Sequence, residues 1–324
     1  MRRREMIGLI GGGLVWPVAG RSQRTKTIPL LGYLSGASPD APANRVFFKG
    51  LRDLGYVDGE NIRIDARYAS GRLDLIPGMA AEMVSLKPNV LIGSSVVPTF
   101  ALKRETSSIP IVAIAIHDGV RLGLYKSLAH PGGNITGLDT LSEEVDQKRV
   151  AMLKEIVPGL SRLTLFYNPN DPGLPAHLEN SRAILTKLGI ASQIVEVRGM
   201  DEFDGAFARM QKDPPQAILV FLDQLFFVAR QRIVDFAFGN KIPMNGEDER
   251  FVRLGQLISY GASLEAIWYR AAYFADRILK GETPEELPVE QPTELRLVVN
   301  LKTAKAFGLQ LPEEILVTAS EVVE

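Results

Sequence analysis

Short apolar runs alternate with amphipathic stretches along most of this chain. The run Ile111–Ile116, which begins after Pro110 and ends at His117-Asp118-Gly119, predicts a strand that is buried on both faces of a parallel sheet. Between such runs the apolar positions recur at helical spacing, as they do in Asp40–Leu54. Strands that alternate with helices of about 10–15 residues indicate βαβ units and therefore a parallel α/β fold.

The second half of the chain repeats this order after an amphipathic stretch, Glu143–Val157, which ends at Pro158-Gly159. A length of 324 residues also favours two domains over one. We therefore predict an α/β fold class with two doubly wound parallel-sheet, Rossmann-like lobes, joined by crossing strands that act as a hinge. The predicted lobes are residues 23–138 with about 263–300 for lobe 1, and residues 139–262 with about 301–324 for lobe 2, the last segment being left open.

Polar side chains come directly after the apolar runs in both halves of the chain. Because the carboxyl ends of parallel strands meet at one edge of a sheet, two facing sheets would place these side chains around one cleft. Ser and Asp at such positions also cap the following helix, so capping is the alternative role for each of them. The residues predicted to bind a ligand on this ground are Ser35, Ser94, Ser95, Asp118, Asn168, Asp223 and Glu247.

Two of these carboxylates and two tyrosines suggest the kind of solute that the cleft would bind. A buried carboxylate is costly unless it meets a cation, so Asp118 or Asp223 is predicted to contact a ligand ammonium, while Ser hydroxyls and helix N-termini would bind a carboxylate. An internal salt bridge is the alternative for either Asp. Tyr167 and Tyr260 could stack on a planar solute, with a place in the core as their alternative. This division of roles would suit an amino acid.

Composition and charge exclude several classes of protein. The chain has no cysteine, which excludes disulfides, thiolate metal sites and a cysteine nucleophile. The formal net charge is −1, and no large basic block follows the N-terminal segment, which argues against a nucleic-acid partner. His117, His130 and His177 are widely spaced, and no Gly-x-Ser-x-Gly pattern follows the N-terminal segment. We predict no metal, no cofactor and no catalytic activity.

The N-terminal segment predicts export. Arg2-Arg3-Arg4 precede a short apolar run, Met6–Val18, and Gly20 and Ser22 provide the small residues of a cleavage site. The run is too short to span a bilayer as a permanent anchor. We therefore predict a signal peptide over residues 1–22 and a periplasmic protein. The paired arginines resemble a twin-arginine export signal, which leaves that route open, and a buried first helix is the alternative.

Several short segments are specific enough to point to a family. They are Gly50-Leu51-Arg52-Asp53-Leu54-Gly55-Tyr56, Gly59-Glu60-Asn61-Ile62, Ile109-Pro110-Ile111-Val112, His130-Pro131-Gly132-Gly133-Asn134-Ile135-Thr136-Gly137, Tyr167-Asn168-Pro169 and Leu297-Val298-Val299-Asn300-Leu301-Lys302-Thr303-Ala304. With them the chain, from about Ile28 to Pro312, resembles the ABC-transporter substrate-binding family that includes the tryptophan/tyrosine-type binding proteins. It departs from the family pattern at Asp118-Gly119, where the family often has Asp-Pro.

The resemblance implies a type I periplasmic-binding-protein fold, in which a solute is held between two lobes and delivered to a membrane permease. We therefore expect a monomeric extracytoplasmic solute-binding protein of an ABC importer. Its partners would be an ABC permease in the inner membrane and a small solute, either an amino acid or a small aromatic or carboxylate compound. A periplasmic sensor that presents its closed form to a receptor is the alternative, and a hydrolase or racemase on the same scaffold is a second one.

Overall fold

A computed structural model describes residues 28–140, 143–221 and 223–324 of the chain. The predicted signal peptide, residues 1–22, lies outside these described residues. Within them, no helix is both long enough and apolar enough to cross a membrane. The described strands form two sheets, one in each half of the molecule, which we call the sheets of lobe 1 and lobe 2.

The sheet of lobe 1 is parallel throughout and has a doubly wound strand order. Its strands are β1 (Leu30–Ser35), β2 (Arg63–Tyr68), β3 (Val90–Gly93), β4 (Ile111–His117) and β5 (Ile135–Thr140), with helices α1 (Pro42–Asp53), α2 (Ile76–Ser85) and α3 (Val96–Glu105) and a 3₁₀ turn at Leu73–Leu75. The strand order is β2-β1-β3-β4-β5. In β4, Ile111 and Ala113 join one buried cluster while Val112 and Ile114 join another. This apolar run therefore forms the strand buried on both faces that its sequence predicts.

The sheet of lobe 2 contains the later strands of the described chain. They are β6 (Arg162–Tyr167), β7 (Ala191–Glu196), β8 (Ala217–Val220), β9 (Met244–Gly246), β10 (Ile258–Ala262), β11 (Leu295–Asn300) and β12 (Glu321–Val323), in the order β12-β11-β10-β9-β8-β6-β7. The helices are α4 (Glu143–Ile156), α5 (Leu174–Lys187), α6 (Phe203–Lys212), α7 (Gln224–Val228), α8 (Arg230–Gly239), α9 (Glu249–Leu254), α10 (Leu264–Leu279), α11 (Leu301–Phe307) and α12 (Glu313–Thr318). The pair β10 and β11 is antiparallel, and the other paired strands are parallel. The two sheets confirm the predicted two-lobed α/β class.

The chain crosses between the lobes after β5, after β10 and before β11. Although α10 follows a strand of lobe 2, it packs on α1 of lobe 1, where Trp268 and Ala272 share a buried cluster with Phe47. A Cβ on Gly50 would lie only 2.8 Å from the Cβ of Ala272, so glycine at this position allows the two helices to approach closely. The side chains of α10 therefore become part of lobe 1.

The last crossing differs from the predicted lobe boundary. The sequence predicts Leu295–Asn300 in lobe 1, but this strand, β11, pairs with β10 in the sheet of lobe 2. Its apolar run Leu297–Val299 fits a buried strand of either sheet, and such a run does not specify which sheet the strand joins. The return to lobe 2 therefore occurs before β11 rather than after it.

The end of β4 carries a bulge that decides which side chains reach the space between the lobes. The pairing of β4 with β5 shifts in register between Ala113 and Ile116, and Ala115 has a φ of +53°. An extra residue of this kind reverses the alternation of side chains beyond it. Ile116 therefore packs in the cluster of Ala113, while Ala115 and His117 both line the interlobe space.

Candidate functional site

A narrow cavity lies between the two lobes, at the carboxyl ends of strands from both sheets. Its volume is about 60 Å³, so the lobes nearly fill the cleft. The lobes also touch directly, because a Cβ on Gly36 of lobe 1 would lie 3.0 Å from the Cβ of Gln224 of lobe 2. The acidic wall, as we call the lobe 2 side, consists of Asp171, Asp223, Gln224, Phe227, Glu247 and Arg250.

The wall that lobe 1 contributes carries polar but uncharged groups among the described lining residues. Asn44 accepts hydrogen bonds from the hydroxyls of Tyr33 at 2.7 Å and Ser35 at 3.3 Å, so these groups are bound to one another. Ser95 directly precedes α3 and Trp268 lies on α10, and both line the cavity. Ser95 Oγ is buried without a hydrogen-bond partner in the described residues, whereas Trp268 Nε1 lies beside the hydroxyl of Tyr33. Because such an atom is costly to leave unsatisfied, Ser95 Oγ is available to a ligand.

His117 lines the cavity as a neutral side chain. Its Nδ1 lies 2.7 Å from Thr140 Oγ1, and Thr140 Oγ1 lies 3.1 Å from the carbonyl oxygen of Ile116. Because the hydroxyl has a single proton and donates it to that carbonyl, we assign the proton of the imidazole to Nδ1, which leaves Nε2 as an acceptor. Burial lowers the pKa of His117 to about 4, so the ring is uncharged at pH 7.

Two aspartates of the acidic wall lie in loops that follow strands of lobe 2. Asp171, after β6, accepts a hydrogen bond from the backbone N–H of Gly173 at 2.8 Å. Asp223, after β8, caps α7 by accepting from the N–H of Phe226 at 2.8 Å, and it also accepts from the amide of Asn168. Burial raises the pKa of Asp171 to about 6, and burial together with the nearby charge of Asp171 raises the pKa of Asp223 to about 7. A bound cation would favour the ionised form of both.

Glu247, after β9, connects the acidic wall to a buried chain of charges. Arg149 Nη1 lies 3.5 Å from Glu247 Oε1 and 3.0 Å from Asp146 Oδ1, and Asp146 Oδ2 lies 2.8 Å from His177 Nδ1. Arg149 Nε also donates to the carbonyl of Tyr260 at 2.7 Å. Burial alone would lower the pKa of His177, but its hydrogen bond to Asp146 and the charge of that carboxylate leave it raised. These contacts fix the strand ends of lobe 2 beneath the cavity.

Arg250 is a guanidinium of the acidic wall that is already bound to a carboxylate. Its Nε lies 2.8 Å and 2.9 Å from the two oxygens of Asp248. Its guanidinium carbon lies 4.2 Å from the ring centre of Phe227, and that of Arg230 lies 4.4 Å from the same ring. A ligand carboxylate would have to compete with Asp248 for Arg250. In residues 28–140, 143–221 and 223–324, no group of three or more His, Asp or Glu side chains is arranged to hold a metal ion.

Four of the predicted ligand-binding residues line the cavity, namely Ser35, Ser95, Asp223 and Glu247. Other predicted residues lie behind this lining and have partners of their own. The amide of Asn168 donates to Asp223, the hydroxyl of Tyr167 donates to Glu196 at 2.9 Å, and that of Tyr260 accepts from Lys148 at 3.1 Å. Ser94 is buried next to Ser95, with its side chain close to the hydroxyl of Tyr33. Contact of these residues with a ligand remains a prediction.

Asp118 also lies outside the cavity lining, and its neighbour His117 takes the place at the cavity. The bulge in β4 brings this about, because it turns His117 rather than Asp118 toward the interlobe space. The backbone N–H groups of Asp118 and Gly119 donate to the buried carboxylate of Asp139 at 3.0 Å and 2.9 Å. Asp118 has a φ of +56° and a partly exposed side chain. Asp118 is therefore part of a turn whose backbone N–H groups are hydrogen-bonded to Asp139.

Sequence reasoning missed several residues that line the cavity. Asp171 follows its strand by four residues instead of directly, so a rule based on strand ends selects Asn168 in its place. Trp268 has the inward position of an amphipathic helix, which does not separate a core residue from a cavity residue. Arg250 lies in a stretch rich in charged residues, which is typical of the solvent-exposed face of a helix. A signal existed for His117, because it ends the apolar run that forms β4.

Comparison with known families and proteins finds the same family that the sequence resembles. The family described as ABC transporter substrate binding protein matches residues 31–323. A tyrosine-binding protein of Clostridioides difficile is 28% identical over 292 residues, which cover 89% of this chain and 83% of that protein. The resemblance found in the sequence is thereby confirmed at the level of the family.

Two solved structures have the same fold. A protein from Streptococcus pneumoniae in complex with L-Trp superposes with a TM-score of 0.83 at 23% identity, covering 91% of this chain and 99% of that chain. A ligand-free, open substrate-binding protein with adhesive properties from Clostridium difficile superposes with a TM-score of 0.62 at 24% identity and the same coverage. The relatives have the type I periplasmic-binding-protein fold, as the resemblance implied.

Proposed function

The chain belongs to the family of ABC transporter substrate binding proteins, and from this premise we propose that it is the extracytoplasmic solute-binding protein of an ABC importer. It would close its two lobes on one small solute and present the closed form to a permease in the inner membrane. We propose a periplasmic location, reached with the predicted signal peptide, and a role in binding without catalysis. We also propose that the boundaries between the lobes lie at the three chain crossings, which are after β5, after β10 and before β11.

The observation that carries the proposal is that one cavity is lined by polar side chains from both lobes. Ser95 and Trp268 of lobe 1 face a wall of lobe 2 that holds Asp171, Asp223 and Glu247. A solute that contacts both walls stabilises the closed arrangement by its differential affinity for that state alone. The crossings of the chain between the lobes restrict the motion to opening and closing, which is what such a binding cycle requires.

The solute that we propose is an amino acid or another small compound that carries an amine. The sequence also predicted small aromatic or carboxylate compounds. A compound whose only charge is a carboxylate fits poorly, because Arg250 is bound to Asp248 and three carboxylates line the same wall. An ammonium, by contrast, would offset the cost of burying these carboxylates.

Recovery of the natural solute tests the proposed function. The protein would be purified from the envelope of its own cells and examined by native mass spectrometry, which should show a small molecule bound in a 1:1 complex and released unchanged. Added back at about 100 times its dissociation constant, this compound should stabilise the protein by about 2.7 kcal/mol. A protein that retains no solute and is not stabilised by any amino acid or small amine would contradict the proposal, and a chemically altered solute would indicate catalysis.

A further inference from the structure

Carboxylates outnumber cations in and beneath the acidic wall. The cavity lining includes the carboxylates of Asp171, Asp223 and Glu247, and its basic residues are Arg250 and His117. His117 is neutral at pH 7 because burial lowers its pKa to about 4. Arg250 is bound to Asp248, so it brings another carboxylate to the site together with its own charge.

The buried charges beneath the wall do not restore the balance. Arg149 contacts Glu247 but also Asp146, and Asp146 contacts His177. The cavity residues and these ion-pair partners thus include five carboxylates, two guanidiniums and at most one imidazolium. Asp171 and Asp223 accept hydrogen bonds from uncharged N–H groups and form no ion pair within the described chain, so their two negative charges are not balanced when both are ionised. An uncompensated charge in a buried place is costly, so either protons or a cationic ligand must balance it.

The uncharged groups of the cavity are independent signs of a ligand. Ser95 lines the cavity, and its Oγ is buried without a hydrogen-bond partner in the described residues. Gln224 Oε1, on the acidic wall, is likewise buried without a partner there. His117 Nε2 is an acceptor by the assignment made above. Together with the carboxylates of the acidic wall, these acceptors from both lobes suit a ligand end rich in N–H donors.

We propose that the solute has a net positive charge, being an amine or guanidine without a carboxylate, and that its cationic end is bound by Asp171, Asp223 and Glu247. This inference rests on the proposed function and names the class of its solute. The opposite, lobe 1 wall, with Ser95 and Trp268, then binds the uncharged polar or aromatic end. An amino acid would have to place its carboxylate against an uncharged donor such as Ser95 Oγ, which precedes α3, because Arg250 already has a carboxylate bound to it.

Matched pairs of compounds test the charge directly. Tryptamine and tryptophan, tyramine and tyrosine, and agmatine and arginine each differ by one carboxylate, so titration calorimetry on the purified protein isolates its effect. We expect at least one amine to bind about tenfold or more tightly than its own amino acid, since one uncompensated charge contact is worth that much or more. A preference for the amino acid in every pair that binds would overturn the inference and leave the proposed function standing. No response to any of the six compounds would also overturn the inference, while the proposed function would still be decided by the recovered solute.

A matched pair of variants then connects this preference to the acidic wall. Asp171→Asn keeps the shape and the oxygen that accepts from Gly173 but removes the charge. Asp235→Asn makes the same change at an exposed position of α8, outside the cavity. We expect the first variant to bind the preferred amine at least tenfold more weakly and the second to bind it as the unmodified protein does. Equal affinities of the two folded variants would overturn the assignment of the cation to this wall.

Discussion

The two walls of the interlobe cavity differ in charge and in what supports them. Lobe 1 contributes small, aromatic and uncharged polar groups on strand ends and α10, whereas lobe 2 contributes three carboxylates backed by buried ion pairs. A neutral wall can recognise shape, and a charged wall can recognise the charge of a solute. Neither lobe alone makes a site, because the unsatisfied hydroxyl of Ser95 lies on lobe 1 and the carboxylates of Asp171 and Asp223 lie on lobe 2.

The largest effect is expected from breaking the support of the charged wall. Arg149→Met would leave Asp146 buried without its guanidinium partner, and removal of one member of a buried pair costs about 3–5 kcal/mol. Urea denaturation of Arg149→Met and of the unmodified protein would measure this loss in the free energy of unfolding. Arg182→Met, on the exposed side of α5, is the control and should cost less than about 1 kcal/mol. A loss below about 1 kcal/mol for Arg149→Met would show that the buried network does not support lobe 2.

A side chain inserted between the walls should oppose closure. At Gly36 the new Cβ would also lie 3.1 Å from Leu73 Cδ2 of lobe 1, so the free energy of unfolding of the variant is measured as well. The Cβ of Gly36→Val would meet the Cβ and Cγ of Gln224 at 3.0 Å, so the closed arrangement becomes overpacked. Overpacking costs about 1–3 kcal/mol, which corresponds to about tenfold or more in solute affinity. Calorimetry would give the affinity and small-angle X-ray scattering the shape. In the control Gly78→Val the added side chain meets nothing within 4 Å. Unchanged affinity in Gly36→Val would mean that the lobes do not close in this way.

The pH dependence separates the carboxylates of the charged wall from other buried acids. Burial raises the pKa of Asp223 to about 7 and that of Asp171 to about 6, above the usual value near 4. The folded, unliganded protein therefore binds more protons than the unfolded chain between about pH 4 and pH 7, and these groups make it less stable as pH rises through that window. Asp139, whose pKa burial raises to about 6, contributes to this loss from outside the cavity.

A cation requires the ionised carboxylates, so its affinity should rise where the stability of the unliganded protein falls. We expect an amine to bind about tenfold or more tightly at pH 8 than at pH 6, with the protein releasing protons on binding. The neighbours that shift the pKa values of Asp171 and Asp223 include Glu247, His177 and Asn168. These neighbours are present both in the unliganded protein and in the protein with a bound amine. Calorimetry in two buffers of different ionisation enthalpy would count the released protons. An affinity independent of pH would contradict the assignment.

The smallest effect is expected at Asp118, where sequence and structure select different residues. Asp118→Asn removes the charge and suits the positive φ of this position. Because its side chain does not line the cavity, we expect the solute affinity to change by less than about twofold, as for most surface changes. The sequence argument, which placed Asp118 at the ligand, requires a clear loss instead. Calorimetry on the folded variant decides between them.

The fold could be predicted from the sequence because its signals are local and repeated. Apolar runs such as Ile111–Ile116 and amphipathic stretches such as Leu264–Leu279 each predict their own element, and their alternation predicts a parallel sheet. The sheet that Leu295–Asn300 joins could not be predicted from these local patterns, because an apolar run contains no information about the strand with which it pairs. The last crossing therefore lies before β11 and not after it.

The candidate site was predicted less completely because it depends on backbone detail. A single bulge in β4 exchanges Asp118 for His117 at the cavity, and four loop residues after β6 bring Asp171 there instead of Asn168. Neither a positive φ at Ala115 nor the path of a proline-containing loop has a reliable sequence signature. Ser95 and Asp223 lie two and three residues beyond the ends of β3 and β8, and Glu247 directly follows β9; all three line the cavity.

A crystal structure of the protein with its tightest-binding amine tests the central claim most directly. The account predicts the solute between the two lobes, with its ammonium or guanidinium nitrogen about 3 Å from carboxylate oxygens of Asp171, Asp223 or Glu247 and its uncharged end near Trp268. A solute bound outside the interlobe cavity, or one whose cationic nitrogen lies against lobe 1, would contradict it.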